Sequence, residues 1–183
     1  MIPMLWEHIN DLKYQGIPCS VAFTGHRSCD QEDVKAWLRA NVFEPLHTSV
    51  SEWICGGALG VDSIAADLVM EYGGNLHLEL PFQNMEKYWR VELRARIQRH
   101  RAYAKETGTL SDNVLEYKGS QTYLTRDRKM VDLCNILVAV LDDSSHSGTK
   151  YTVDYAINQN NKDKKHLIKR YNPVTKESSE FWQ

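Results

Sequence analysis

Apolar residues follow two alternating spacings along this chain of 183 residues. Short apolar runs, which are typical of strands, lie at 20–24, 52–55, 75–80, 113–117, 135–141 and 166–171. Between these runs apolar residues recur every three or four positions, which predicts helices at 4–14, 30–45, 61–72, 84–104, 121–133 and 149–159. The alternation predicts an α/β, Rossmann-like fold with a mostly parallel sheet of about six strands and helices on both faces.

Three segments carry more specific predictions about burial. Residues 135–141 are almost continuously apolar, which predicts a central strand covered on both faces. Residues 75–80 alternate leucines with polar residues, which predicts a strand with one solvated face near the sheet edge. In the helix predicted at 84–104, Trp89 belongs to the apolar stripe and is expected to anchor the core, whereas the arginines of 90–101 form a charged outer face.

Length and composition indicate one domain. We expect 1–18 to form an N-terminal helical extension, 20–160 the core and 172–183 a polar tail that is mobile or lightly docked. The four cysteines form no Cys-x-x-Cys pair, so we predict neither disulfides nor a metal site. No apolar run approaches the roughly 20 residues that span a bilayer, and no signal peptide is visible. These features favour a cytoplasmic protein.

The formal net charge of −2 bears on the choice of partners. It argues against general attraction to nucleic acid or anionic lipid, so we predict no membrane association and disfavour nucleic acid as a partner. The helix at 84–104 offers one surface through which a homodimer would form, although the sequence does not fix the oligomeric state.

Three loops are expected to meet at one edge of the sheet, because parallel strands bring their carboxyl ends together. They are Thr24–Ser28, Gly56–Asp62 and Asp142–Lys150, and each is rich in Gly, Ser, Thr or charge. In the second loop, glycines permit close approach of a ligand, and the start of the following helix favours a phosphate. Tight packing between strand and helix is the alternative explanation of the glycines. We predict a phosphate-bearing ligand, above all a nucleotide.

The candidate ligand-binding residues come from these loops. They are Thr24, Gly25, His26 and Arg27 in the first loop, Gly56, Gly57, Gly60 and Asp62 in the second, and Ser147, Gly148, Thr149 and Lys150 in the third. Arg27 and Lys150 would balance phosphate charge, with a surface salt bridge as the alternative for Arg27. His26 would donate to phosphate, transfer a proton or serve only the turn. Asp62 would hold a ribose hydroxyl or bond to the backbone at the helix start.

Five motifs in order resemble the YpsA-like branch of the SLOG superfamily over roughly residues 20–160. They are Thr24-Gly25-His26-Arg27, Gly56–Asp62 with Ala65-Ala66, Leu80-Pro81-Phe82 followed by Trp89, Arg126–Asp132, and Ser147–Ala156. The resemblance implies a Rossmann-like fold that binds nucleotides or nucleotide-derived molecules. It also implies a ligand contact at Arg128, because Arg128-Lys129 matches a pair in the phosphoribohydrolases of that superfamily.

The same resemblance weighs against one reaction. The phosphoribohydrolases end the sheet with Pro-Gly-Gly-x-Gly-Thr-x-x-Glu, and Thr152 stands here in place of the catalytic glutamate. Hydrolysis of an N-glycosidic bond would then need another carboxylate, and the candidates are Asp62, Glu79 and Asp143. We assign no catalytic residue on this basis.

The sequence thus favours a protein that binds a nucleotide or an ADP-ribose-like compound, with no further cofactor assigned. A nucleotide N-glycoside hydrolase is one alternative. A mediator that binds single-stranded nucleic acid, as in the recombination branch of the superfamily, is another. The net charge and the lack of an appended basic domain weigh against the mediator.

Overall fold

A seven-stranded sheet organises the computed structural model, which describes residues 4–143, 147–160 and 165–182. The strands are β1 Ser20–Gly25, β2 Glu52–Cys55, β3 Leu76–Phe82, β4 Thr109–Val114, β5 Ile136–Val140, β6 Leu167–Tyr171 and β7 Ser178–Phe181. Their spatial order is β4-β3-β2-β1-β5-β6-β7, and every neighbouring pair is parallel except β6 and β7. The prediction of a mostly parallel α/β fold is confirmed.

Helices cover both faces of this sheet. They are α1 Met4–Tyr14, α2 Gln31–Leu38, α3 Glu44–Leu46, α4 Val61–Glu71, α5 Val91–Thr107, α6 Gln121–Leu133 and α7 Gly148–Asn160, with a π-helical turn at Arg39–Phe43 joining α2 to α3. The apolar sides of α1, α2, α4 and α5 pack on one face, and those of α6 and α7 pack on the other. None of the helices within the described ranges is long and apolar enough to cross a membrane.

The polar side of β3 is buried, so the predicted solvated face is wrong. Glu79 is 0% exposed, because α6 packs over β3 and covers it. The carboxylate accepts hydrogen bonds from His77 Nε2 at 2.8 Å and from Lys129 Nζ at 2.7 Å. Asn113 Nδ2 donates a third at 2.9 Å. Burial by itself would raise the pKa of Glu79, but the bonds from His77, Lys129 and Ser111 outweigh it and lower that pKa.

Three element boundaries also differ from the sequence prediction. Helix α5 begins at Val91, and residues 83–89 form turns that include Asn84 with φ of 54°. Strand β4 lies at Thr109–Val114, four residues earlier than the predicted run begins. The C-terminal segment forms strand β7 antiparallel to β6, where Lys169 Nζ lies 2.6 Å from Glu180 Oε1. The predicted tail is thus partly a sheet strand.

The strand order creates a crevice beside β1. From β1 the chain builds β2, β3 and β4 on one side, and it then returns to place β5 and β6 on the other. Helices leaving β1 and β5 therefore run to opposite faces, and their connecting loops separate at the carboxyl ends of the strands. This switch point is where ligands bind in open α/β sheets.

Gly60 fixes how the loop after β1 meets the start of α4. Its φ is 80°, and a Cβ at this position would collide with the carbonyl oxygens of His26 and Arg27. The positive φ and the close contact with the backbone of His26 and Arg27 therefore both require glycine here.

We predict that Gly60→Ala lowers the free energy of unfolding by roughly 3 kcal/mol. The strain of a positive φ adds to the collision of the new Cβ with the carbonyl oxygens of His26 and Arg27. Gly16→Ala is the control, since Gly16 has a φ of 69° but its Cβ would meet nothing within 4 Å. That variant should lose only about 1 kcal/mol. Urea unfolding of the ligand-free protein measures both, and equal losses would show that packing against the β1 loop contributes nothing.

Candidate functional site

A cleft of about 290 Å³ opens at the switch point. We call it the switch-point cleft, and its lining residues are Phe23, Thr24, Gly25, His26, Arg27, Ala58, Asp62, Tyr123, Leu124, Arg126, Asp127, Ser147, Gly148 and Thr149. The structure thus brings together residues from all three loops that the sequence placed at this edge. The predicted residues in the lining are Thr24, Gly25, His26, Arg27, Asp62, Ser147, Gly148 and Thr149.

The loop after β1 forms one wall of this cleft. Gly25 lies against α4, where a Cβ would collide with Val61. His26 Nε2 lies 3.1 Å from Asp142 Oδ1 and 3.3 Å from the Asp142 backbone nitrogen, which ties the loops after β1 and β5 together. Arg27 is exposed, and its guanidinium lies over the Tyr123 ring, 5.2 Å from the centroid.

The N-terminus of α7 forms the opposite wall. Ser147 Oγ accepts a hydrogen bond from the Lys150 backbone N–H at 3.1 Å, which caps the helix. Gly148 is exposed, with open space where a Cβ would stand, and Thr149 is buried beside it. The first N–H groups of a helix lack partners within the helix and carry partial positive charge. This wall therefore suits an anion.

An arginine between two carboxylates forms the floor. Arg126 is 5% exposed; its Nη1 donates to the Gly56 carbonyl, and its Nε lies 2.7 Å from Asp127 Oδ1. Asp62 Oδ2 lies 4.0 Å from Arg126 Nη1 and accepts the Ala58 N–H at 3.2 Å. Burial raises the pKa of Asp62 to about 6; Asp127 adds to this effect, and Arg126 opposes it. Asp62 can therefore change charge near neutral pH.

Gly56, Gly57 and Gly60 do not line the cleft. A Cβ would collide with Arg126 at Gly56, with Leu80 at Gly57, and with the His26 carbonyl at Gly60. The close approach that these glycines allow is therefore an approach by protein atoms. The packing explanation therefore accounts for the glycine at all three positions, and a ligand contact at any of them stays a prediction.

Arg128 and Lys150 also lie outside the lining. Arg128 Nε bonds to the Tyr151 hydroxyl, and the guanidinium lies over the rings of Tyr151 and Tyr155 at 5.4 and 5.8 Å. Lys150 Nζ lies 3.0 Å from both carboxylate oxygens of Asp154, one helical turn away. These cations pair with groups on the α6–α7 surface, and their predicted phosphate contacts stay predictions.

Sequence reasoning placed a ligand contact on α6 at Arg128 but missed the residues of α6 that line the cleft. Tyr123, Leu124, Arg126 and Asp127 all line it. A signal for Arg126 was available, because Thr122, Arg126 and Met130 recur at spacing four and form the buried side of α6. Arg128 lies two positions further on, about 200° around the helix, and therefore faces away.

A second cavity, which we call the side pocket, adjoins the cleft. It shares Arg27, Ala58, Tyr123 and Arg126 with the cleft and adds Leu59, Pro81, Met85 and Trp89. Trp89 is partly buried and packs against the core, as predicted for an anchor, but it also forms part of this pocket wall.

The candidate carboxylates for glycoside hydrolysis lie in different surroundings. Glu79 is sealed beneath α6, and Asp143 Oδ1 lies 2.7 Å from Arg170 Nη2. Asp62 lines the cleft. Thr152 donates from its hydroxyl to the Gly148 carbonyl at 2.8 Å and serves the helix. Within the described ranges, no group of three or more His, Cys, Asp and Glu residues could hold a metal ion.

Two solved structures share this fold. DNA processing protein A from Streptococcus pneumoniae has a TM-score of 0.60 and 19% identity, over 84% of this chain and 50% of that one. DNA processing protein A from Helicobacter pylori, described with its single-stranded DNA binding mode, has a TM-score of 0.56 and 20% identity, over 80% of this chain and 64% of that one. The chain spans half to somewhat under two thirds of these proteins.

These neighbours correct the prediction about nucleic acid. The sequence disfavoured it as a partner because of the net charge of −2. The protein from Helicobacter pylori binds single-stranded DNA and shares the fold, so the prediction is wrong. Net charge over a whole chain does not describe the field inside one cleft.

One sequence relative and one family model match most of the chain. A UPF0398 protein of Oceanobacillus iheyensis is 26% identical over 125 residues, which cover 66% of this chain and 67% of that protein. The profile of the YspA SLOG family matches residues 21–172, from the start of β1 to just beyond β6. That match covers most of the sequence and includes every segment of the switch-point cleft, and the chain therefore belongs to the YspA SLOG family.

Proposed function

We propose that this protein binds a nucleotide or a nucleotide-derived ligand, such as an ADP-ribose compound, with its phosphates in the switch-point cleft. One observation carries the proposal: the N-terminus of α7 faces the β1 loop across a cleft whose floor holds a buried arginine. Helix N–H groups and guanidinium groups are the donors that bind phosphate most effectively.

The charges of the cleft support this proposal. Arg27 lines the cleft with its guanidinium over the Tyr123 ring, and a guanidinium stacked on a ring can also pair with a phosphate. Gly148 and Thr149 would supply backbone N–H groups from the opposite wall. Asp127 would accept hydrogen bonds from ribose hydroxyls, since carboxylates accept at both oxygens. His26 would keep the two loops at the spacing that this arrangement needs.

One observation favours a second candidate, hydrolysis of a nucleotide N-glycosidic bond. Asp62 lies in the cleft with a pKa of about 6, so a fraction of it holds a proton near neutral pH. A carboxyl group in that state can donate a proton to a leaving base. Detection of free base after incubation with nucleoside monophosphates tests the reaction, and no release by the wild-type protein over hours would remove it.

Single-stranded DNA is the other ligand class to test. A nucleotide within a strand presents the same phosphate and base as a free nucleotide, and the shared fold with DNA processing protein A motivates the experiment. A short oligonucleotide should be titrated at several salt concentrations, because phosphate contacts weaken as salt rises. A nucleotide that competes with the oligonucleotide would place both in one cleft.

We predict that Gly148→Asp weakens binding of AMP and of ADP-ribose by roughly tenfold or more, because a carboxylate there repels the phosphates. The open space at Gly148 leaves room for the side chain, and an acidic residue at a helix N-terminus does not weaken the helix. Gly148→Asn is the matched control, with nearly the same shape and no charge. Calorimetric titration measures both variants, and equal affinities would contradict phosphate binding at this terminus.

We predict that affinity for ADP-ribose falls about tenfold as pH rises from about 5 to about 8. Asp62 has a pKa raised to about 6, so it is neutral below that pH and ionised above it, where it repels the ligand. Each phosphate of ADP-ribose carries one ester bond and one anhydride bond, so its remaining acidic oxygen stays ionised over this range. Asp62→Asn should flatten the profile, and an unchanged slope in that variant would assign the effect to another group.

A further inference from the structure

We propose that the side pocket, a cavity of about 70 Å³, receives one edge of the nucleobase of the ligand, a planar ring that contacts Leu59, Met85, Trp89 and Tyr123. This inference rests on the proposed function, because the phosphate in the switch-point cleft sets where the rest of the ligand extends. It assigns to the side pocket a chemical class of occupant, an aromatic heterocycle, and leaves the sugar and phosphate to the cleft.

The chemistry of the walls supports a ring. Leu59, Pro81, Met85 and Trp89 offer apolar or aromatic surface, so a phosphate or sugar placed there would lose hydration without replacement. The faces of a heterocycle gain from the same contacts, through stacking on aromatic rings and through the polarisable methionine sulfur. The apolar lining of the side pocket therefore favours the base of a nucleotide over its sugar and phosphate.

The turns between β3 and α5 hold this wall in place before any ligand arrives. Glu86 is buried in them and accepts hydrogen bonds from Gln98 Nε2 at 2.6 Å and from Arg101 Nη2 at 3.4 Å, both on α5. The Glu86 carbonyl also accepts the Trp89 N–H at 2.9 Å. The anchored turns fix the backbone that carries Met85 and Trp89, which reduces the entropy cost of binding a ring.

Tyr123 and Arg27 form the junction between the two cavities. The Tyr123 ring is held by Phe82 and Tyr117, with centroids 6.0 and 5.8 Å away. Arg27 lies over Tyr123 and lines both cavities. A guanidinium can stack on a ring and pair with a phosphate, so one arginine can serve both ends of a nucleotide.

The polar groups at this subsite determine which edge of the ring can face the cleft. The charged side chains in its lining are Arg27 and Arg126, and guanidinium groups donate hydrogen bonds but accept none. The ring should therefore turn an acceptor, a ring nitrogen or a carbonyl oxygen, toward the cleft. Nucleobases carry such acceptors, whereas a benzene ring does not.

Calorimetric titration with AMP and with ribose 5-phosphate tests the subsite, because the two ligands differ by the base alone. The wild-type protein should bind AMP roughly tenfold or more tightly than ribose 5-phosphate. Trp89→Leu should reduce that ratio toward one and leave the affinity for ribose 5-phosphate unchanged. Tyr88→Leu is the matched control, since Tyr88 is the neighbouring aromatic residue, is 88% exposed and lines neither cavity.

A variant that fills the pocket keeps the test decisive if Trp89→Leu does not fold. If Trp89→Leu loses its native circular dichroism, Leu59→Trp replaces it, and this variant should lower AMP affinity to that of ribose 5-phosphate. Equal wild-type affinities for the two ligands would overturn the subsite and leave the phosphate cleft intact. A preference for AMP that survives in the pocket variant would also overturn it. Failure of both ligands to bind the wild-type protein would overturn the proposed function itself.

Discussion

The buried guanidinium of Arg126 is the interaction on which the site depends. It joins three segments, because it donates to the Gly56 carbonyl after β2, pairs with Asp127 on α6 and lies beside Asp62 at the start of α4. Removing one partner from a buried ion pair commonly costs about 3–5 kcal/mol, since the remaining charge stays without compensation. Position 56 requires glycine, because a Cβ there would occupy the place of the Arg126 guanidinium. The floor of the cleft and the loop after β2 are thus parts of one ion-paired unit.

The cleft and the side pocket divide the chemistry of a nucleotide between them. The cleft has helix N–H groups, two arginines and two carboxylates, whose balance of charge shifts when Asp62 ionises. The side pocket has apolar walls and donors at its inner edge. Both are placed by the strand order, which separates the loops after β1 and β5, and by the turns before α5. The family match spans all of these segments.

Much of the fold follows from local sequence pattern, whereas the site follows only in part. Apolar runs predict six of the strands, and the clearest is 135–141, because a strand buried on both faces is almost wholly apolar. Ser147, Gly148 and Thr149 fall in the cleft because a loop after a parallel strand ends at that edge. Glu79 was predicted to face solvent because its partner Lys129 lies 50 residues further along the chain, beyond the range of local periodicity. Arg126 was missed because the family resemblance pointed to Arg128, whereas the spacing of four with Thr122 and Met130 marks Arg126 as the inward residue. The turns around Met85 were predicted as helix because their apolar spacing happens to match α5.

A crystal structure of this protein with ADP-ribose tests the central claim most directly. The account predicts phosphate oxygens within hydrogen-bonding distance of the backbone nitrogens of Gly148 and Thr149, with the Arg27 guanidinium on the same phosphates. A ligand bound elsewhere on the protein, or bound in this cleft with its phosphates turned away from the N-terminus of α7, would contradict it.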